Sequence, residues 1–182
     1  MSAWARGRRE RRLARVGYLG LGSNVGERES QLRAAVAALR DHGIEVEAAS
    51  SVYESEPVGG VPDQPDFLNA AVRIRTELEP DALLDICKAI ELEHGRMVGG
   101  QRHGPRRLDI DLLLLGELEL QTDRLTLPHP QLTSRRFVLE PLFELDPELT
   151  TPDGTGVADA LAGLGTGQRV VRVGRLRGHQ AG

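Results

Sequence analysis

Apolar side chains and glycines largely alternate along the first stretch, "RVGYLGLG" over residues 15–22, and the run ends at the turn-prone "GSNVGER". That pattern predicts a buried strand followed by a tight turn. The period then lengthens. Leu32, Ala35, Val36 and Leu39 recur at helical spacing within residues 27–42, and Gly43 supplies a residue able to end the helix. Residues 44–55, "IEVEAASSVYES", alternate again as one half-buried strand, and a loop rich in Pro, Gly and Asp occupies residues 56–66. "LNAAVRIRTE" over residues 68–77 reads as a strand. Pro80 suits the first turn of a helix whose stripe is Leu83, Leu84, Cys87, Ile90 and Leu92, up to Gly95. "RLDIDLLLLG" to Gly116 is the next strand. A polar hairpin over residues 117–127, a loop at "PHPQLTSRR", a helix over 137–145, a short helix at "VADALAGL" and a closing strand at "RVVRV" complete the pattern.

The order strand, helix, strand, strand, helix, strand predicts an α+β fold of the ferredoxin-like kind. Its antiparallel sheet would carry helices on one face, with C-terminal additions. At 182 residues the chain suits one domain, expected over residues 15–174, with a basic leader over 1–14 and a tail over 175–182. The leader is expected to be disordered. The charge is uneven: the first fifteen residues hold six arginines and one acid, so the body is acidic although the net charge is only −4. An acidic body argues against a broad nucleic-acid-binding face. No apolar run approaches the ~20 residues of a membrane-spanning helix. The single cysteine, Cys87, excludes an internal disulfide and suits a reducing cytoplasm.

Asp109 and Asp111 change the picture. Residues two apart on a strand share a face, so both carboxylates point to one side. Leu113 and Leu115 are expected beyond them, with Leu108, Ile110, Leu112 and Leu114 on the other face. Two parallel carboxylates repel, and hard oxygen donors at this separation suit Mg²⁺ completed by water and phosphate. A solvated strand end, or ion pairs to Arg106 and Arg107, would equally satisfy the spacing. Seven arginines lie between Arg96 and Arg136, namely these two ends with Arg102, Arg106, Arg107, Arg124 and Arg135. Guanidinium forks grip phosphate oxygens, so a carboxylate pair among loop arginines points to phosphoryl transfer. The "GLGSNVGER" segment lacks the lysine of a phosphate-binding loop and reads as a turn only. Phe67 and Phe137 are two of six aromatic residues. They suit either a core or, beside Asn69, a flat heterocycle.

Five segments in order, "LGLGSNVGER", "DQPDFLNAAV", "HGPRRLDIDLLLLG", "LPHPQL" and "RRFVLEPL", resemble the 6-hydroxymethyl-7,8-dihydropterin pyrophosphokinases of folate biosynthesis. The resemblance spans residues 16–173. It implies transfer of the diphosphate of ATP to the pterin hydroxymethyl group with release of AMP, two Mg²⁺ ions, and a ferredoxin-like core. Carried over residue by residue, it makes Asp109 and Asp111 the metal ligands and Arg106 and Arg96 phosphate-contacting catalytic residues. His129, Arg135, Arg124 and Glu91 become nucleotide contacts. Phe67 and Phe137 become the aromatic sandwich of the pterin, Asn69 the amide reading its edge, and Ser55 and Val58 loop contacts. Val98, His103 and Pro130 depart from the family's usual arginine, tryptophan and tyrosine. The implied partners are small molecules acting on a cytoplasmic monomer, without nucleic acid or membrane. The rival readings on the same fold are a nucleic-acid-binding module, which would want aromatics on the central strands and a basic sheet face, and an inactive scaffold, which would have lost one of the aspartates or the arginine before them.

Overall fold

The computed structural model describes residues 13–57, 63–94 and 108–176. Its strands are β1 (Arg15–Ser23), β2 (Glu45–Ala49), β3 (Ser51–Ser55), β4 (Phe67–Thr76), β5 (Asp109–Leu115), β6 (Leu120–Gln121), β7 (Thr126–Leu127) and β8 (Val170–Arg175). Its helices are α1 (Arg28–Asp41), α2 (Pro80–Glu93), α3 (Arg136–Leu145) and α4 (Val157–Gly163). The main sheet runs β5-β1-β4-β3-β8, with β2 also paired to β4, and every pairing is antiparallel. Strands β6 and β7 form a separate small ribbon.

The strand expected over residues 44–55 is two strands. Ser50, buried between them, inserts its side chain into the ladder: its hydroxyl accepts the Ala71 N–H at 2.8 Å and donates to the Ser51 carbonyl at 2.8 Å. A hydroxyl that competes for backbone partners in this way interrupts a regular ladder. At the C-terminus, β8 continues to Arg175, and Leu176 is buried against the core.

Helices cover both faces of the sheet, not one as the sequence suggested. On the first face, Leu32, Ala35, Val36 and Leu39 of α1 and Leu83, Cys87 and Ile90 of α2 pack on Leu19, Leu21, Val72, Ile74 and Ile110. On the second, Leu139 and Leu142 of α3 and Val157 of α4 pack on Tyr18, Ala71, Leu113 and Leu114. Leu139 and Leu142 are fully buried, each worth ~1.5–3 kcal/mol of burial. The second face could be covered because β1 and β4 present small or apolar residues there.

The expected alternation along β5 also fails at one point. Asp109 and Asp111 pair with Gly22 and Gly20 of β1, but the register shifts between the partners Leu112 and Leu114. Leu113 is the extra residue of a β-bulge. Leu113 and Leu114 therefore both join the α3 face while Leu115 joins the α1–α2 core. Leu114 and Leu115 thus exchange the faces that strict alternation gave them.

Candidate active site

Strand pairing lays four residues in one row across the sheet: Asp109 of β5, Gly22 of β1, Asn69 of β4 and Tyr53 of β3. Asp111 and Gly20 start the next row, and Phe67, paired with Ser55, lies two positions along β4 from Asn69. All belong to the face beneath α3. A cleft of about 800 Å³, counting its open mouth, lies between this face and the start of α3. Asp109, Asp111, Asn69 and Phe67 line it from the sheet, and Arg135 and Phe137 from the helix.

The floor is open because β1 contributes glycine opposite each aspartate. A Cβ on Gly22 would sit 3.6 Å from both Asn69 Oδ1 and Phe67 Cδ1. Leu19 and Leu21 fill the opposite face. The sequence signal was present in "GLG", where glycines two apart on a strand match the aspartates two apart on its neighbour, but the segment was read as strand and turn without that match.

Asn69 is 5% exposed. Its Nδ2 donates to the Tyr53 carbonyl at 3.3 Å and to Ser55 Oγ at 2.7 Å. A carbonyl only accepts, so the Tyr53 contact fixes the amide's orientation. Oδ1 is then left on the Gly22 side as an acceptor for a ligand N–H. The chain leading into Phe67 is held from below. Asn24 Nδ2 donates to Gln64 Oε1 at 3.1 Å and to the Pro65 carbonyl at 3.2 Å. Arg28 donates to the Asp66 carbonyl at 2.8 Å and pairs with Glu54 at 3.2 Å. The "GSNVGER" segment is thus a clamp as well as a turn, a role that no spacing rule announced.

Asp109 is half-buried and Asp111 exposed to the cleft. Among the described residues no group of three or more His, Cys, Asp or Glu side chains could hold a metal ion. The pair is a two-carboxylate donor set, which suits a hard cation whose other positions are filled by water or phosphate. Arg135 stacks over Phe137, 5.6 Å from the ring centroid. Burial lowers the guanidinium's pKa from its usual value, and the Asp111 charge opposes that shift. Burial, opposed by Asp111 and helped by Arg135, also pushes the His129 pKa down, favouring the neutral ring. His129 Nδ1 accepts the Gln131 N–H at 3.1 Å, so the neutral ring carries its proton on Nε2. The His129 backbone N–H meets the Leu113 carbonyl at 2.9 Å on the free edge of β5.

Two expected nucleotide contacts are outside the lining of this cleft. Glu91, 1% exposed, is on the α2 side, where its carboxylate accepts the Ile110 N–H at 3.3 Å, between the two aspartates, and meets Lys88 at 3.3 Å. Arg124 is held by Asp85 and, at 3.6 Å, by Asp81, outside the cleft lining. Arg96, Arg106 and Val58, together with Arg102, Arg107, Val98 and His103, fall outside the described residues.

Residues 18–147 match the family model described as 7,8-dihydro-6-hydroxymethylpterin-pyrophosphokinase (HPPK). The chain is 47% identical over 131 residues to the 2-amino-4-hydroxy-6-hydroxymethyldihydropteridine pyrophosphokinase of Bacillus subtilis, covering 71% of this chain and 77% of that one. It is 45% identical over 146 residues to the enzyme of the same name from Pseudomonas aeruginosa, covering 80% and 89%. The folate synthesis bifunctional protein of Arabidopsis thaliana is 47% identical over 127 residues, 70% of this chain but only 26% of its own. Among solved structures, a crystal structure of HPPK-DHPS in complex with substrates superposes with a TM-score of 0.66 at 13% identity, covering 82% of this chain and 43% of that one. A Plasmodium falciparum HPPK-DHPS with pterin and p-hydroxybenzoate gives 0.65 at 16%, covering 84% and 43%.

Proposed function

Because the chain belongs to the 7,8-dihydro-6-hydroxymethylpterin-pyrophosphokinase family, we propose that it transfers the diphosphate of ATP to the hydroxymethyl group of 6-hydroxymethyl-7,8-dihydropterin, releasing AMP, in folate biosynthesis. One observation carries the reading beyond family membership. A carboxylate pair and an aromatic pair, Phe67 and Phe137, with Asn69 between them in the lining, open into the same cleft. One end suits phosphate with a cation and the other suits a flat, hydrogen-bonding ring.

In this reading Phe67 and Phe137 stack the pterin and Asn69 Oδ1 accepts one of its N–H groups, with the Ser55 and Val58 segment at the ring's edge. Asp109 and Asp111 would hold Mg²⁺, two ions with ATP bound, and the ions would supply neutralisation of phosphate charge. The hydroxymethyl oxygen attacks the β-phosphorus and releases its proton to water, the bond between the β-phosphorus and the α–β bridging oxygen breaks, and AMP departs with that oxygen. Arg135, with Arg96 and Arg106, offsets the charge spread over the transferred group. His129, kept neutral, offers its Nε2–H to the nucleotide. Glu91 acts beneath β5 by holding the Ile110 peptide, and Arg124 serves the nucleotide only on leaving Asp81 and Asp85.

The strand order β5-β1-β4-β3, with the second strand broken at Ser50, supports a ferredoxin-like core to which α3, α4 and β8 are added. The catalytic unit starts at residue 15 and, with β8 reaching Arg175 and Leu176 in the core, runs past the expected end at 174. A free, buried Cys87 and the absence, among the described residues, of any helix long and apolar enough to cross a membrane suit a cytoplasmic enzyme. In this reading it acts as a monomer on small molecules, without nucleic acid. The test is to mix the protein with ATP, Mg²⁺ and 6-hydroxymethyl-7,8-dihydropterin. AMP and pterin diphosphate should accumulate one for one; ADP instead, or no nucleotide product, would overturn the reading.

A further inference from the structure

Arg135 and Phe137 form the helix-side wall of the cleft, yet neither is fixed by a side-chain cap at the start of α3. Arg135 is extended, with φ −116° and ψ 115°, and its neighbours' backbone groups face the segment between α4 and β8. There Gln168 Nε2 donates to the Ser134 carbonyl at 2.9 Å, and Gln168 Oε1 accepts the Arg136 N–H at 2.8 Å. One amide therefore spans residue 135 and bonds the backbone on both sides of it, as a neighbouring strand would. The Arg136 N–H belongs to the first turn of α3, where helix donors lack internal partners. A second tie runs the other way, from the Arg136 guanidinium to the Gly165 carbonyl. Glu144 pins the far end of α3, accepting Ser51 N–H and Oγ at 2.6 Å each and Tyr53 OH at 3.2 Å.

We propose that Gln168 is a positioning residue for the transfer reaction: its amide sets the backbone at Arg135, and through it the placement of the Arg135 guanidinium and the Phe137 ring in the cleft. Gln168 lines an adjoining pocket with Gln131, Ser134 and Arg169, which shares Arg135 and Phe137 with the cleft, and it is absent from the lining of the cleft itself. Its proposed action on the substrates therefore runs through Arg135 and Phe137. Being exposed, its two bonds add little to global stability, and their effect falls on the local geometry of residues 134–137.

The inference rests on the pyrophosphokinase reading, and the two can fail separately. Wild-type protein that forms no AMP overturns that reading. Given an active wild type, the test compares Gln168→Ala and Gln168→Glu by steady-state kinetics well below the melting temperature. Two exposed hydrogen bonds, each near the low end of ordinary net strength, correspond to roughly five- to tenfold. Gln168→Ala should therefore raise KM for ATP and for the pterin by about that factor, with kcat within about twofold. Gln168→Glu keeps the acceptor for the Arg136 N–H but sets a carboxylate oxygen against the Ser134 carbonyl. It should restore any lost melting temperature without restoring KM. In an Arg135→Ala background, Gln168→Ala should raise the KM for ATP little further. Unchanged KM in Gln168→Ala overturns the proposal. So does full KM rescue by Gln168→Glu, which would make Gln168 a helix cap alone, and so do additive effects with Arg135→Ala.

Discussion

Gly22 lies directly across the β1–β5 ladder from Asp109, and on its other side it faces Asn69 of β4. A residue without a side chain thus separates the carboxylate end of the cleft from the ring-reading end, and a ligand can span both. Gly22→Val puts a Cβ within 3.6 Å of Asn69 Oδ1 and Phe67 Cδ1, an ordinary contact that the fold tolerates. The added methyls project beyond it into the cleft. The expected outcome is a melting temperature within a few degrees of wild type and pterin binding weaker by roughly tenfold or more, on the scale of 1.4 kcal/mol per decade. Calorimetric titration with the pterin checks it, and wild-type affinity would show that the floor is not where the ring lies.

Asp109→Asn and Asp111→Asn test the carboxylate pair. Each keeps shape and removes charge. Turnover should fall by at least roughly 10²–10³-fold, the scale of losing one preorganised electrostatic partner of a transition state. Asp111 is exposed, so its replacement should leave the thermal melt unchanged. EDTA added to wild type should abolish turnover in the same way, also without moving the melt. Near-normal rates in either variant at saturating Mg²⁺ would remove the metal assignment.

Asn69→Ala separates recognition from packing. It leaves the Tyr53 carbonyl and Ser55 Oγ without their shared donor and deprives the ligand of Oδ1. An unmet polar group at a buried contact costs ~1–3 kcal/mol, so pterin affinity should drop about five- to hundredfold. An ATP analogue titrated without pterin should bind as before. Equal losses for both ligands would mean that the substitution disturbs the whole sheet face.

Much of this arrangement was legible in the sequence because it follows from local periodicity. The spacing of Leu32, Ala35, Val36 and Leu39 predicted α1, and Asp109 and Asp111 were placed on one face by the two-residue repeat of a strand. What was missed depends on pairing between distant segments. The bulge at Leu113, which exchanges the faces of Leu114 and Leu115, arises from register with β1. The coverage of the second sheet face arises from α3 meeting Ala71 and Tyr18. Asn24, Arg28 and Gln168 act on backbone groups some 30 to 40 positions away, and no local pattern marks such bonds. The ion pairs of Arg124 with Asp81 and Asp85 likewise join segments about 40 positions apart.

Burial leaves a signature in alkaline stability. Cys87, enclosed between α2 and the sheet, has its thiol pushed up to about 12, chiefly by desolvation and then by the Glu91 charge. Tyr53 is also pushed up to about 12, by burial and then by Glu144, to which its hydroxyl donates. In the unfolded chain these groups ionise near about 8.5 and about 10. Between those values and about 12 the folded protein keeps protons that the unfolded chain has lost, so ν_U − ν_N is negative and stability falls as pH rises. The contribution is fully present below about pH 8.5. Urea midpoints measured from pH 7.5 to 10.5 should therefore decline, and Cys87→Ala should flatten the first part of the decline, whatever cavity cost it adds at neutral pH. Folded protein at pH 8 should react slowly with a thiol reagent, and urea should release the full reactivity. A wild type whose midpoint is level to pH 10.5, or a Cys87→Ala variant that declines in parallel with it, would show that Cys87 ionises as readily in the fold as outside it.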